Sequence, residues 1–73
     1  MNLRNVNMIV IVNEEKRRAY NELNVSTKDL IAGKPYEVIE KIDEGLYYKR
    51  YLINDETGEE YLYPQGLFDI VSD

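Results

Sequence analysis

Hydrophobic and polar positions along this chain come in short bursts, separated by glycine, proline and acidic turns. Met8-Ile9-Val10-Ile11-Val12 is apolar at both parities, which predicts a strand hydrophobic on both faces. The outward face of such a strand needs its own cover, and the next segment can supply it. Asn13 to Leu23 reads as a helix: Asn13 is a good N-cap, Glu14 and Glu15 sit at the positive end of the dipole, and Glu14 can reach Arg18. Ala19, Tyr20 and Leu23 form its narrow apolar stripe, and Asn24 can end it. A helix this short is marginal alone, so packing of Tyr20 and Leu23 against the strand is the expected support. Ser26 and Asp29 then resemble a capping box, with Gly33 at a left-handed C-terminal position. Leu30 and Ile31 would plug one end of the core.

From Gly33 to Val71 the period changes to two. Tyr36, Val38 and Ile42 share a parity in a strand from Tyr36 to Ile42, with Glu37 and Lys41 opposite. Ile39 breaks the alternation and suggests a bend. Asp43-Glu44-Gly45 makes the turn into a strand from Leu46 to Asn54, in which neither parity is wholly apolar. Asp55-Glu56-Thr57-Gly58 supplies a hairpin, with Gly58 free to adopt positive φ. A strand from Glu59 to Tyr63 stops at Pro64, which cannot donate to a ladder. Gln65-Gly66-Leu67 predicts one turn of 3₁₀ helix before a last strand, Phe68 to Val71. Short strands, tight turns and mixed parities predict a mainly β protein: a small, strongly curved five-stranded barrel with a short helix inserted after the first strand.

Composition bounds the rest. The 73 residues make one domain, 1–73, with one small core. No cysteine is available for a disulfide or a thiolate metal site. Apolar residues are 44% and charged residues 32% of the chain, as in globular proteins. The longest apolar run, Met8 to Val12, falls far short of the roughly 20 residues a membrane helix needs. No signal-peptide pattern opens the chain, so no membrane association and a cytoplasmic location are expected.

Charge is unevenly spread. The net charge is −5, with +2 over residues 1–34 and −7 over residues 35–73. The acidic half disfavours phosphate-backbone binding, which depends on Lys and Arg. An acidic surface serves solubility in general, and it can also dock on a basic partner.

Candidate chemistry is thin. With no His and no Cys, the Ser/His/Asp and Cys/His nucleophile systems are excluded. The carboxylate pairs Asp43/Glu44 and Glu59/Glu60 fall on turns or strand ends, where solvation is the ordinary outcome. Asp55, Glu56 and Glu59 cluster at a hairpin but lack a calcium-loop pattern. The four glycines are scattered, so no phosphate-binding loop is formed. No cofactor, metal or catalytic residue is expected, and an enzyme is not. The tyrosines stand out: seven of eight aromatic residues. Some of Tyr47, Tyr48, Tyr51, Tyr61 and Tyr63 must be core, while others can form an aromatic contact patch.

The Gly-Lys-Pro-Tyr-Glu-Val strand, the Tyr-Tyr strand, the tight Gly hairpin and the Tyr-Pro-x-x-x-Phe closure resemble the SH3-like barrel. More narrowly, residues 33–71 are similar to the small SH3-like proteins of bacterial phages and prophages. Tyr47 stands where SH3 domains carry a groove tryptophan, and Pro64 matches the closing proline. The Ala-Leu-Tyr-Asp-Tyr motif is absent, and Leu67 or Phe68 replaces the final tyrosine, so the resemblance does not carry polyproline binding with it. What it implies is a non-enzymatic protein-binding module, a phage or mobile-element accessory protein that binds or inhibits a basic host protein. Tyr47, Tyr48, Tyr61, Tyr63, Pro64, Glu59 and Glu60 are the expected contact residues. The alternative is a nucleic-acid-binding barrel using a basic face of Lys16, Arg17, Arg18, Lys28 and Lys34. Homo-oligomerisation by edge-strand pairing is a further possibility.

Overall fold

The computed structural model describes residues 3–72. They form one five-stranded antiparallel sheet in the order β4-β3-β2-β1-β5, with one α-helix and one 3₁₀ turn. The strands are β1 (Leu3–Val12), β2 (Tyr36–Glu44), β3 (Tyr48–Asn54), β4 (Glu60–Pro64) and β5 (Phe68–Ser72). Helix α1 (Glu14–Glu22) follows β1, and the 3₁₀ turn η1 (Gln65–Leu67) joins β4 to β5.

The first strand starts earlier than its apolar run. Leu3 and Arg4 pair with Lys41 and Glu40, but the register breaks between Arg4 and Met8, where Asn7 takes a φ of 54°. Asparagine tolerates that left-handed conformation better than most residues, so a polar stretch that reads as a loop continues as a bulged strand. The bend expected at Ile39 is present, because the β2–β3 register shifts between Val38 and Glu40. Asp43 and Glu44 lie in β2 rather than in the turn, paired with Lys49 and Tyr48. The turn is instead Gly45 to Tyr47, with Gly45 at φ 73°.

The core unites residues from every strand with the long β1–β2 connection. Val10, Val38, Ile53, Leu67 and Leu30 are fully enclosed, ringed by Met8, Val12, Tyr36, Tyr51, Tyr63 and Phe68. Phe68 meets Tyr51 at 5.9 Å and Tyr63 edge-on at 6.4 Å between ring centroids, both within the favourable range for aromatic pairs. Leu30 plugs the core as expected, but Ile31 is exposed. Ser26 and Asp29 start no helix; residues 28–30 form only a turn.

Helix α1 is capped as the sequence indicates, the Asn13 side chain accepting from the Lys16 amide at 2.9 Å. Its support differs from expectation. Leu23 is 72% exposed, and Tyr20 alone packs on the core. The Tyr20 ring lies over η1 at Gly66, so closely that a Cβ there would stand 2.6 Å from the tyrosine oxygen. The helix therefore buttresses the closing turn rather than covering β1, whose Ile9 and Ile11 remain half-buried.

Candidate functional site

Two surfaces gather the residues of interest. One is the β2–β3 tip and the outward face beside it; the other is a groove along β4.

At the tip, Leu46 is 81% and Tyr47 93% exposed, and Tyr48 is partly exposed as β3 begins. The Leu46 and Tyr47 side chains are thus outside the core. The Arg50 guanidinium sits 4.8 Å from the centroid of the Tyr48 ring, a cation–π contact. Arg50 pairs across the ladder with Ile42 and with Pro64, and Leu52 pairs with Leu62. Directly opposed residues share a face, so Tyr48, Arg50 and Leu52 lie beside Pro64 and Leu62, while Tyr51 and Ile53 point into the core. Gln65 fixes this arrangement from η1. Its amide donates to the Asp43 carboxylate at 2.8 Å and to the backbone carbonyls of Ile42 and Arg50 at 3.2 Å each. That bond, with Lys41 and Lys49 nearby, holds the Asp43 carboxyl below its usual range.

The β4 groove has a volume of about 260 Å³ and lies between the segment from Val25 to Asp29 and β4, with Asp55, Tyr61, Leu62 and Tyr63 in its lining. Asp55 organises its base. Although only 5% exposed, it accepts from the Thr57 amide at 2.9 Å, the Thr57 hydroxyl at 2.5 Å and the Tyr63 hydroxyl at 2.6 Å. Burial pushes this carboxyl up, but the bonds from Thr57 and Tyr63 outweigh burial, and the net shift is downward. Asp55 is thus a carboxylate at neutral pH, held by neutral donors. The Tyr63 hydroxyl is pushed well above its ordinary value, first by burial and then by Asp55. Tyr61 is half-exposed, and its hydroxyl donates to Glu59 at 3.2 Å. The nearby Glu59 charge raises its pKa.

A larger groove, about 490 Å³, lies on the other side of the hairpin, between Lys34–Glu37 and Asn54–Glu56. Its Lys34, Tyr36 and Glu56 side chains are bonded to one another. Tyr36 donates to Glu56 at 2.7 Å and accepts from the Ile31 amide at 2.7 Å, and Lys34 bonds Glu56 at 2.5 Å. Lys34 and Tyr36 hold the Glu56 carboxyl below its usual range. This network joins the β1–β2 connection to the hairpin and reads as structural.

Of the seven expected contact residues, Tyr47, Tyr48, Tyr61, Glu59 and Glu60 are exposed and Pro64 is half-buried. Tyr63 is 7% exposed and belongs to the core, so its ring is not an open contact surface. The inward parity it shares with Ile53 and Tyr51 accounts for this, and its hydroxyl is spent on Asp55. Leu46, Arg50, Leu62 and Asp29 join these surfaces without having been singled out from the sequence. The Tyr-x-Tyr spacing around Leu62, with Leu62 on the opposite parity, was the available signal. In the basic set, Arg17 meets Glu14 at 3.5 Å and Lys34 meets Glu56, so two of its five charges are already matched.

Among the described residues, no group of three or more His, Cys, Asp and Glu side chains is placed to hold a metal ion. No helix among them is long and apolar enough to cross a membrane. No protein-family model matches the chain, and no curated protein or solved structure is significantly similar to it.

Proposed function

We propose that this chain is a non-enzymatic protein-binding module with an SH3-like barrel fold. In this reading it is an accessory protein of a bacterial phage, prophage or mobile element, acting in the cytoplasm on a protein of its host. The strand order supports the fold reading: β1 lies between β2 and β5, a long connection joins β1 to β2, and a 3₁₀ turn joins β4 to β5. That is the arrangement the resemblance implies.

The observation that carries the functional reading is the tip. Leu46 and Tyr47 project into water beside Tyr48, which is stacked under Arg50. Tyr and Arg are enriched among interface hot spots, and tyrosine brings large contact area at low entropic cost. Burying the Leu46 and Tyr47 side chains against a partner would contribute on the order of 2 kcal/mol each. The net charge of −7 over residues 35–73 would favour the approach of a basic partner to this half of the molecule. Polyproline recognition gains no support, because Leu67 and Phe68, which stand where SH3 domains close the groove, are both core.

Affinity capture from a lysate of the bacterial host, followed by mass spectrometry, tests the reading. The expected result is one basic protein retained on the immobilised chain and released as salt rises. Retention of nothing beyond an empty matrix, together with a low-salt shift of DNA or RNA on a gel, would replace it with the nucleic-acid reading.

A further inference from the structure

The edge of the sheet at β4 and the groove beside it point to a more specific mode of recognition. β4 is hydrogen-bonded to β3 on one side, and no strand among the described residues pairs with its other side. An open edge presents unpaired backbone N–H and C=O groups, which an extended segment can satisfy. Alongside runs the groove of about 260 Å³, with the half-exposed Tyr61 and Leu62 offering apolar surface. Its charged lining residues, Asp29 and Asp55, are both acidic, and no Lys or Arg lines it. Glu59 and Glu60 add two exposed carboxylates where β4 begins. Aromatic rings and carboxylates in one cleft suit the long aliphatic stem and charged head of Lys or Arg.

We propose that β4 accepts an extended basic peptide segment as an added strand, one Lys or Arg of which enters the groove between Asp29 and Tyr61. This rests on the protein-binding reading above and names the partner's chemistry. Charge complementarity chooses the occupant. A second copy of this chain would bring its own Glu59 and Glu60 to an edge that is already acidic, whereas a basic segment brings the complementary charge.

Selection from a displayed library of linear peptides against the immobilised full chain tests this, with the enriched peptides then synthesised and titrated by calorimetry. Enriched peptides should carry Lys or Arg flanked by β-branched residues. Their affinity should fall about 5- to 10-fold with Asp29→Asn, fall as salt rises, and be unchanged with Glu15→Gln, an exposed carboxylate on α1 away from the groove lining. Asp29→Asn keeps the backbone carbonyl that accepts from the Glu56 amide at 2.9 Å, so the fold is retained. N-methylation of the alternate peptide amides that face β4 should abolish binding while methylation of the intervening ones should not, and indifference to both sets would overturn the added-strand mode. Enrichment of no basic peptide would overturn the proposal. So would basic peptides that are weakened by Tyr47→Ala and indifferent to Asp29→Asn, a result that leaves the protein-binding reading standing at the tip. Failure of that broader reading shows separately, as the absence of any host protein captured by the full chain.

Discussion

Tyr63 and Tyr47 show how the same residue type takes opposite roles two strands apart. The Tyr63 hydroxyl holds a buried carboxylate, Asp55, at 2.6 Å. Hydrogen bonds to charged groups are worth about 1.5–3 kcal/mol, and a buried charge left short of donors loses at least that. Tyr63→Phe is therefore expected to destabilise the protein by about 2 kcal/mol in urea unfolding. Tyr47 is 93% exposed, with no partner role in the core. Tyr47→Ala should leave stability within about 0.5 kcal/mol of wild type in the same assay. Nothing in the local sequence separates the two, since both sit next to other aromatic or apolar residues. Tyr63 owes its burial to the inward parity set by the pairing of β4 with β3, and Tyr47 owes its exposure to its place in the β2–β3 turn.

At the scale of elements, the glycines, the prolines and the two-residue period located the β2–β3 and β3–β4 turns, the 3₁₀ turn and β5 within a residue or two. These features are local, so sequence carries them. The early part of β1 was not legible, because Arg4, Asn5 and Asn7 give no apolar signal and the strand persists through a bulge. The packing of α1 was also only half legible. Its stripe of Ala19, Tyr20 and Leu23 does not say which residue finds a neighbour, and only Tyr20 does. That contact makes a specific prediction. Gly66→Ala places a methyl group 2.6 Å from the Tyr20 oxygen and should destabilise the protein by about 1–3 kcal/mol through overpacking. In a Tyr20→Phe background the next ring atom is 3.6 Å away, so most of that loss should disappear. A double-mutant cycle by thermal unfolding measures the coupling.

For the whole molecule, charge makes stability depend on pH. Asp43, Asp55 and Glu56 have folded-state pKa values below their ordinary ones. Their contribution to stability is fully present above the unfolded carboxylate range, near pH 4, and is lost as pH falls through the folded values. Tyr36 and Tyr63 are shifted upward, so their contribution is present below about pH 10 and is lost as pH rises beyond it. Urea midpoints measured across pH should therefore show a plateau from about pH 5 to pH 9, falling on both sides. Tyr63→Phe should reduce the fall on the alkaline side.

In the proposed binding role, the acidic half would direct the approach of a partner and the tip would anchor it. The most direct measurement is the affinity of the captured host protein for wild type and for the Tyr47→Ala/Tyr48→Ala variant, by calorimetry at one salt concentration. A loss of at least about 30-fold, the scale of a hot spot of 2 kcal/mol, with the thermal midpoint of the variant preserved, is the result predicted. Equal affinities for the two proteins would contradict it.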